Sequence, residues 1–355
     1  MGIMVLIDTT FLNFGKTGIG TVINQFINVF DYENISYKKI SYFDYFSKKT
    51  KNNWYKYFNK ILIREVKKLD EKDVFLFPEN IAGFLHFGKY KCNTIFIIHD
   101  LFELECNCYI LSKIKKYIFN HVLHNVDKII TVSNCSKKNI INSFPKYSVK
   151  IFILYPFYIK DKSKIEIKND EIFSKFKNIS GKNFILANGS GQSRKNASFL
   201  IKNANKIFND FGLNIIFFGK DFNNDGYATI NNEIKLYDCS ERITHMGTIT
   251  DAELSYLYQN AKCFIFPSTD EGFGLPPVEA LLNNCKIAVS NIDIFKEVLS
   301  PLDRYFDFTY ESLSENLKQI LNLDTNDFNK EKEQILAKFQ YINYKKNLLS
   351  ILSVE

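Results

Sequence analysis

Short β-rich runs alternate with helical patterns along nearly all of the 355 residues. That alternation leaves few folds open, because strands separated by helices pair in parallel and wind into α/β sheets covered on both faces. In the first half, strands are predicted at 3–7, 36–40, 74–77, 94–98, 128–132 and 150–154, with helices near 19–30, 55–68, 109–124 and 136–143. A Lys-, Asp- and Ser-rich stretch from Tyr155 to Glu171 reads as a linker. The series then resumes with strands at 184–187, 214–218, 243–246, 263–266 and 287–289, and helices at 197–211, 251–260 and from Tyr310 onward. The length exceeds one ordinary core and suits two doubly wound domains, over residues 1–165 and 172–330. Two such domains facing a central cleft would both offer it the C-terminal ends of their strands, where open α/β sheets bind ligands.

Composition narrows the class. With 46% hydrophobic and 24% charged residues the chain is expected to be globular and soluble. No apolar run approaches the roughly 20 residues of a membrane-spanning helix. The opening Met1–Asp8 reads as a first strand rather than a signal peptide. The seven cysteines are odd in number and contain no C-x-x-C pair, so reduced thiols in the cytoplasm are expected. A net charge of +7 raises nucleic acid as a partner, but no helix-turn-helix, ribonucleoprotein or zinc signature accompanies it, and none is expected to bind. Two basic stretches interleaved with aromatic and apolar residues, Lys48–Lys68 and Tyr109–Val126, match either a solvated helix face or peripheral contact with anionic membrane.

Residues 262–282 carry the densest chemistry. The apolar run Lys262–Phe266 reads as a buried strand, and Val278–Leu282 as a helix opening behind Pro277. Between them lie Gly272 and Gly274, flanked by Glu271 and Glu279 with seven residues separating the two carboxylates. A glycine loop between strand and helix leaves backbone N–H groups unpaired at the positive end of the helix dipole, a site for an anion. A glutamate on either side can accept hydrogen bonds from hydroxyls. The combination fits a diphosphate between two polyols, which describes a nucleotide sugar. Earlier, Asn188–Asn196 places adjacent Arg194 and Lys195 at a helix start behind loop glycines, as diphosphate neutralisation requires. His99, in His99-Asp100-Leu101, follows an apolar strand and can donate to a sugar hydroxyl.

The order strand, Glu-Gly-Phe-Gly-Leu-Pro-Pro, Glu, helix resembles the signature of retaining glycosyltransferases of the GT-B fold, family 4. So do Arg194-Lys195-Asn196, His99-Asp100-Leu101, the serine turn Thr131–Lys137, the turn Thr17-Gly18-Ile19-Gly20 and the segment Arg242–Asp251. The resemblance implies two Rossmann-like domains, acceptor-side first and nucleotide-sugar-binding second, with helices in 331–355 crossing back to the first. It implies that Glu279 binds ribose hydroxyls, and that the Gly272, Phe273, Gly274 and Leu275 amides bind the diphosphate with Lys195 and Arg194. Glu271, helped by His99, would bind the donor sugar. Gly18 and Gly20 would lie near the donor phosphates, and the backbone around Gly247 and Thr248 would read the base. No metal or other cofactor is expected, since the cations and the helix terminus take the metal's place. The acceptor would be a hydroxyl of a glycan or lipid-linked saccharide, met at the inner face of the cytoplasmic membrane. Some family members carry a further basic residue six positions before the lysine, where this chain has Gly189. A P-loop is excluded by Thr10, five positions before Gly15, and a dinucleotide fingerprint by Ile23 in the third glycine position. A GT-B epimerase, a phosphorylase, or a binding protein that has lost turnover remain open at this point.

Overall fold

The computed structural model describes residues 2–10, 12, 18–41, 61–77, 89–104, 109–158, 176, 183–189, 192–219 and 225–353. The chain divides into two compact units: Met1–Tyr158 with Phe339–Glu355, and Ile159–Lys338. Most of the linker, the start of the predicted 55–68 helix, Gly15-Lys16-Thr17, and Cys106 and Cys108 lie outside the described residues.

The first unit is built on six parallel strands: β1 (Met4–Asp8), β2 (Ser36–Ile40), β3 (Val74–Phe77), β4 (Asn93–Ile98), β5 (Lys128–Thr131) and β6 (Ile151–Ile153), in spatial order β2-β1-β3-β4-β5-β6. Every residue of β3 is buried, as a strand covered by helices on both faces must be. α1 (Gly18–Tyr32) turns Val22, Ile23, Phe26, Val29 and Phe30 inward at helical spacing. α2 (Tyr109–Asn125) and α3 (Asn134–Ser143) follow β4 and β5. Gly18 and Gly20 form the first turn of α1 itself, where the sequence reading had a turn ahead of the helix.

The second unit has five parallel strands, β7 (Phe184–Asn188), β8 (Asn214–Phe218), β9 (Ile243–His245), β10 (Phe264–Phe266) and β11 (Ile287–Val289), ordered β11-β10-β7-β8-β9. Its helices are α4 (Ala197–Phe211), α5 (Asp225–Leu236), α6 (Asp251–Asn260), α7 (Leu275–Leu282), α8 (Asp293–Val298), α9 (Tyr310–Asn322) and α10 (Thr325–Leu336). A capping box between Thr250 and Glu253 fixes the start of α6. α7 opens at Leu275, ahead of the position expected from Pro277, with its prolines in the first turn. Both fit there because first-turn N–H groups have no intrahelical acceptor to lose.

The chain then rejoins the first unit through α11 (Tyr341–Leu352). Tyr344 packs on Phe157 and Phe26, with ring centroids 4.6 and 6.1 Å away. Lys345 pairs with Glu33 at 2.6 Å, and the Tyr341 hydroxyl donates to the same carboxylate at 2.9 Å.

Candidate active site

The strand order of the second unit reverses at β7. From there the chain runs outward to β8 and β9 on one side, then returns to β10 and β11 on the other. The crevice between the C-terminal ends of β7 and β10 is therefore the topological switch point, where open parallel sheets bind ligands. Two loops leave it: the one carrying Arg194 and Lys195 after β7, and Pro267–Gly274 after β10. They are sewn together by the Arg194 carbonyl, which accepts from the Thr269 N–H at 2.8 Å and the Ser268 hydroxyl at 3.0 Å.

At this junction Glu271 meets both cations. Lys195 Nζ lies 2.5 Å from Glu271 Oε1, and Arg194 Nη1 2.8 Å from Oε2. The Glu271 side chain is 7% exposed, that of Lys195 10% and that of Arg194 27%, so the pairs are held largely out of water. The Ser268 hydroxyl, itself fully buried, reaches Glu271 Oε1 at 2.7 Å. Lys195 Nζ also stands 4.6 Å from the centre of the Phe266 ring, a cation–π contact beneath the ammonium. Asn196 turns the chain out of the lysine loop into α4 through a left-handed backbone, φ 52°. Two cations thus converge on one carboxylate.

The glycine loop completes the site. Gly274 caps α7 at φ 83°, and a Cβ there would stand 2.6 Å from Phe295 Cε1, so only glycine fits without displacing the ring. Phe273 is buried and Leu275 opens α7. Glu279 sits in the second turn of α7, half-buried, and not in the first turn where the dipole alone would favour an acid. Gly247 has φ 65°, and its carbonyl accepts from Gly219 N–H at 3.0 Å; Thr248 beside it is exposed. This pair lies beyond β9, with β8 between it and β7. Gly189 has its own packing reason: a Cβ there would meet Phe217 Cβ at 2.7 Å, which leaves no room for the basic side chain some family members carry.

In the first unit His99 follows β4 directly. The residue is half-buried, yet its Nε2 is sealed from solvent and has no hydrogen-bond partner. Burial lowers its pKa from 6.5 to about 4. Its carbonyl accepts from the Ser136 hydroxyl at 3.0 Å, and Ser133 caps α3 by accepting from the Ser136 N–H. The serine turn thus both starts a helix and holds the histidine loop. Burial pushes the thiols of Cys92 and Cys263 up to about 11 and about 12, as suits inert core residues. Among the described residues, no group of three His, Cys, Asp or Glu could hold a metal ion.

Sequence reasoning named Glu271, Lys195 and Arg194 separately but missed that they pair, and missed Ser268 and Phe266 around them. Ser268 was legible only as part of the same loop. The pairing spans 76 residues of sequence and becomes visible once β10 is seen to lie beside β7.

Residues 168–339 match the family described as glycosyl transferases group 1. The matched stretch covers most of the second unit. It is 27% identical over 275 residues to the O-antigen chain mannosyltransferase RfbU of Salmonella typhimurium, covering 75% of this chain and 71% of that one. The structure of HepE from Anabaena in complex with UDP and glucose superposes with a TM-score of 0.74 at 14% identity, over 100% of both chains. Sucrose-phosphate synthase from Thermosynechococcus elongatus does so with a TM-score of 0.77 at 12% identity, over 99% of this chain and 98% of that one. These likenesses show the GT-B fold, and the match to group 1 glycosyl transferases together with the mannosyltransferase relative marks a glycosyltransferase.

Proposed function

We propose that this glycosyltransferase moves a hexose, with retention, from a nucleoside-diphosphate sugar to a hydroxyl of a glycan or lipid-linked acceptor in surface polysaccharide synthesis. The observation that carries the reading is the junction of Arg194, Lys195 and Glu271 at the β7–β10 switch point. Arg194, Lys195 and the amides of Gly272–Leu275 would hold the diphosphate, Glu279 the ribose, and the segment at Gly247 and Thr248 the base. Glu271 would accept hydrogen bonds from the donor sugar. Gly18 and Gly20 stand in the first turn of α1, at the positive end of its dipole, which suits an approach to phosphate oxygens. His99, kept neutral by burial, can donate one hydrogen bond to a sugar hydroxyl.

In the reaction the bond from the anomeric carbon to the phosphate oxygen breaks, and its electron pair leaves with the nucleoside diphosphate. The acceptor oxygen bonds to the anomeric carbon on the same face and gives its proton to the departing phosphate. The fixed cations stabilise the charge that develops on that oxygen and take the metal's place. The likeness to an O-antigen mannosyltransferase favours mannose as the hexose and a lipid-linked saccharide as the acceptor. Such an acceptor would bring the enzyme to an anionic membrane face.

The test is to incubate the protein with GDP-mannose and, separately, UDP-glucose, and to follow nucleotide release and the anomeric configuration of the product by NMR. One donor should turn over with retention and without added metal, and Lys195→Ala should abolish turnover. Inversion, or full activity in the Lys195 variant, would overturn the assignment.

A further inference from the structure

The Ser268 hydroxyl faces three oxygens and has one proton to give. Glu271 Oε1 lies 2.7 Å from Ser268 Oγ, the Arg194 carbonyl 3.0 Å and the Asp270 carbonyl 3.1 Å. Both carbonyls have other donors: that of Arg194 accepts from the Thr269 N–H at 2.8 Å, and that of Asp270 from Arg194 Nη1 at 3.2 Å. A hydrogen bond to a charged acceptor is roughly twice as strong as one to a neutral acceptor, and here the charged acceptor is also the nearest. The proton therefore points to Glu271. Ser268 is fully buried, so bulk water does not compete for it. Behind it stands a second fully buried serine, Ser290, which follows β11 and donates its hydroxyl to the Ser268 carbonyl. The Ser290 N–H reaches the Phe266 carbonyl at 3.3 Å, so β10 and β11 together fix the backbone from which Ser268 projects.

We propose that Ser268 is a positioning residue for transfer: its hydroxyl holds the Glu271 carboxylate where it accepts the hydrogen bonds of the donor sugar, and Ser290 braces Ser268 from behind. This rests on the role proposed above for Glu271, and adds what keeps that carboxylate in place once a donor is bound. Arg194 and Lys195 hold it as the structure stands. On the same proposal both cations turn to the diphosphate, and a carboxylate at the end of a flexible side chain then needs another anchor against its rotamer freedom. The Ser268 hydroxyl is neutral and buried, so phosphate does not draw it away as it draws the cations. Ser268 acts through Glu271 and not on the substrate. Because it also touches the Arg194 carbonyl, its effect on the carboxylate has to be read apart from any effect on the loop of the cations.

The test compares the full chain as wild type, Ser268→Ala, Glu271→Gln and the double variant, with the donor that the wild type turns over. Ser268→Ala should lower kcat about ten-fold, the scale of one hydrogen bond to a charged group. Its affinity for the free nucleoside diphosphate, read by calorimetry, should not weaken. In the Glu271→Gln background the same substitution should cost much less, because the charge that made the contact strong is gone. Ser290→Ala, which leaves the Ser268 hydroxyl in place, should lower kcat by a smaller factor than Ser268→Ala. Urea unfolding of the four proteins reads the contact without any turnover, and the losses from Ser268→Ala and Glu271→Gln should again be less than additive. Unchanged kcat in Ser268→Ala, an equal cost in the Glu271→Gln background, or additive losses in unfolding would each overturn the proposal. So would a diphosphate affinity that falls in step with kcat, which would place the effect of Ser268 in the cation loop. A wild type that transfers from no donor would remove the transferase reading, while the unfolding cycle would still decide whether Ser268 holds Glu271.

Discussion

Glu271 sits between Arg194 and Lys195, the two cations proposed to hold the diphosphate. On that proposal its carboxylate and the donor's phosphates would compete for the same Arg194 and Lys195. Replacing Glu271 by alanine would strand a nearly buried lysine, so the informative variant is Glu271→Gln, which keeps the shape and removes the charge. Transfer should fall by about a hundredfold or more, the scale of losing one well-placed polar contact to a transition state. Nucleoside diphosphate should bind more tightly, on the order of ten-fold, because attraction between unit charges at 4 Å is about 4 kcal/mol near a protein surface and part of it is recovered. Calorimetry with the free diphosphate reads the second effect; weaker binding would refute the competition. His99 gives a pH prediction at the same scale. Its imidazole is neutral in both folded and unfolded chains above pH 6.5. Between 6.5 and about 4 the unfolded chain takes a proton that the folded chain refuses, so stability falls across that window and the loss is complete below it. An NMR titration should place its midpoint near 4, and His99→Asn should remove that part of the acid sensitivity. A midpoint near 6.5 would mean that the ring is solvated.

Elements were the most legible level, for a physical reason. Strands buried on both faces read as unbroken apolar runs, so β3, β8 and β11 fall where their composition puts them, and the amphipathic spacing of 197–211 and 251–260 defines α4 and α6 to the residue. α5 escaped because Asp225–Leu236 is rich in polar residues and carries a glycine, a threonine and paired asparagines that blur any stripe. α7 was placed late because Pro277 was taken as its gate, whereas the left-handed Gly274 is. That glycine carries the prediction at this scale. Gly274→Ala must accept both a left-handed backbone, costing about 1–2 kcal/mol, and a side-chain overlap with Phe295 of similar size. A loss of about 2–4 kcal/mol in urea unfolding is expected, together with weaker donor binding. Combined with Phe295→Leu, the two costs should total less than their sum, since the overlap disappears. Strict additivity would mean that the ring never met the new methyl.

The whole molecule depends on a segment distant in sequence from the unit it completes. Tyr344, Leu348, Ile351 and Leu352 of α11 are buried, and at roughly 1.5–3 kcal/mol each their burial matches the entire stability of an ordinary domain. A chain ended at Lys338 should lose the cooperative melting of the first unit while the second keeps its protected amides, which hydrogen exchange would resolve unit by unit. Equal protection in both units would refute this. The same arrangement has a consequence for synthesis. A ribosome delivers Met1–Tyr158 first, yet that unit cannot close its core until Phe339 and its successors emerge. At about 5–20 residues per second the delay is on the order of ten to forty seconds. Throughout it the sites on Phe26 and Phe157 that await Tyr344 stay open, and the later-made unit can finish folding before the earlier one. The nascent chain thus spends its most aggregation-prone interval with its oldest part exposed, where a chaperone would have most to protect.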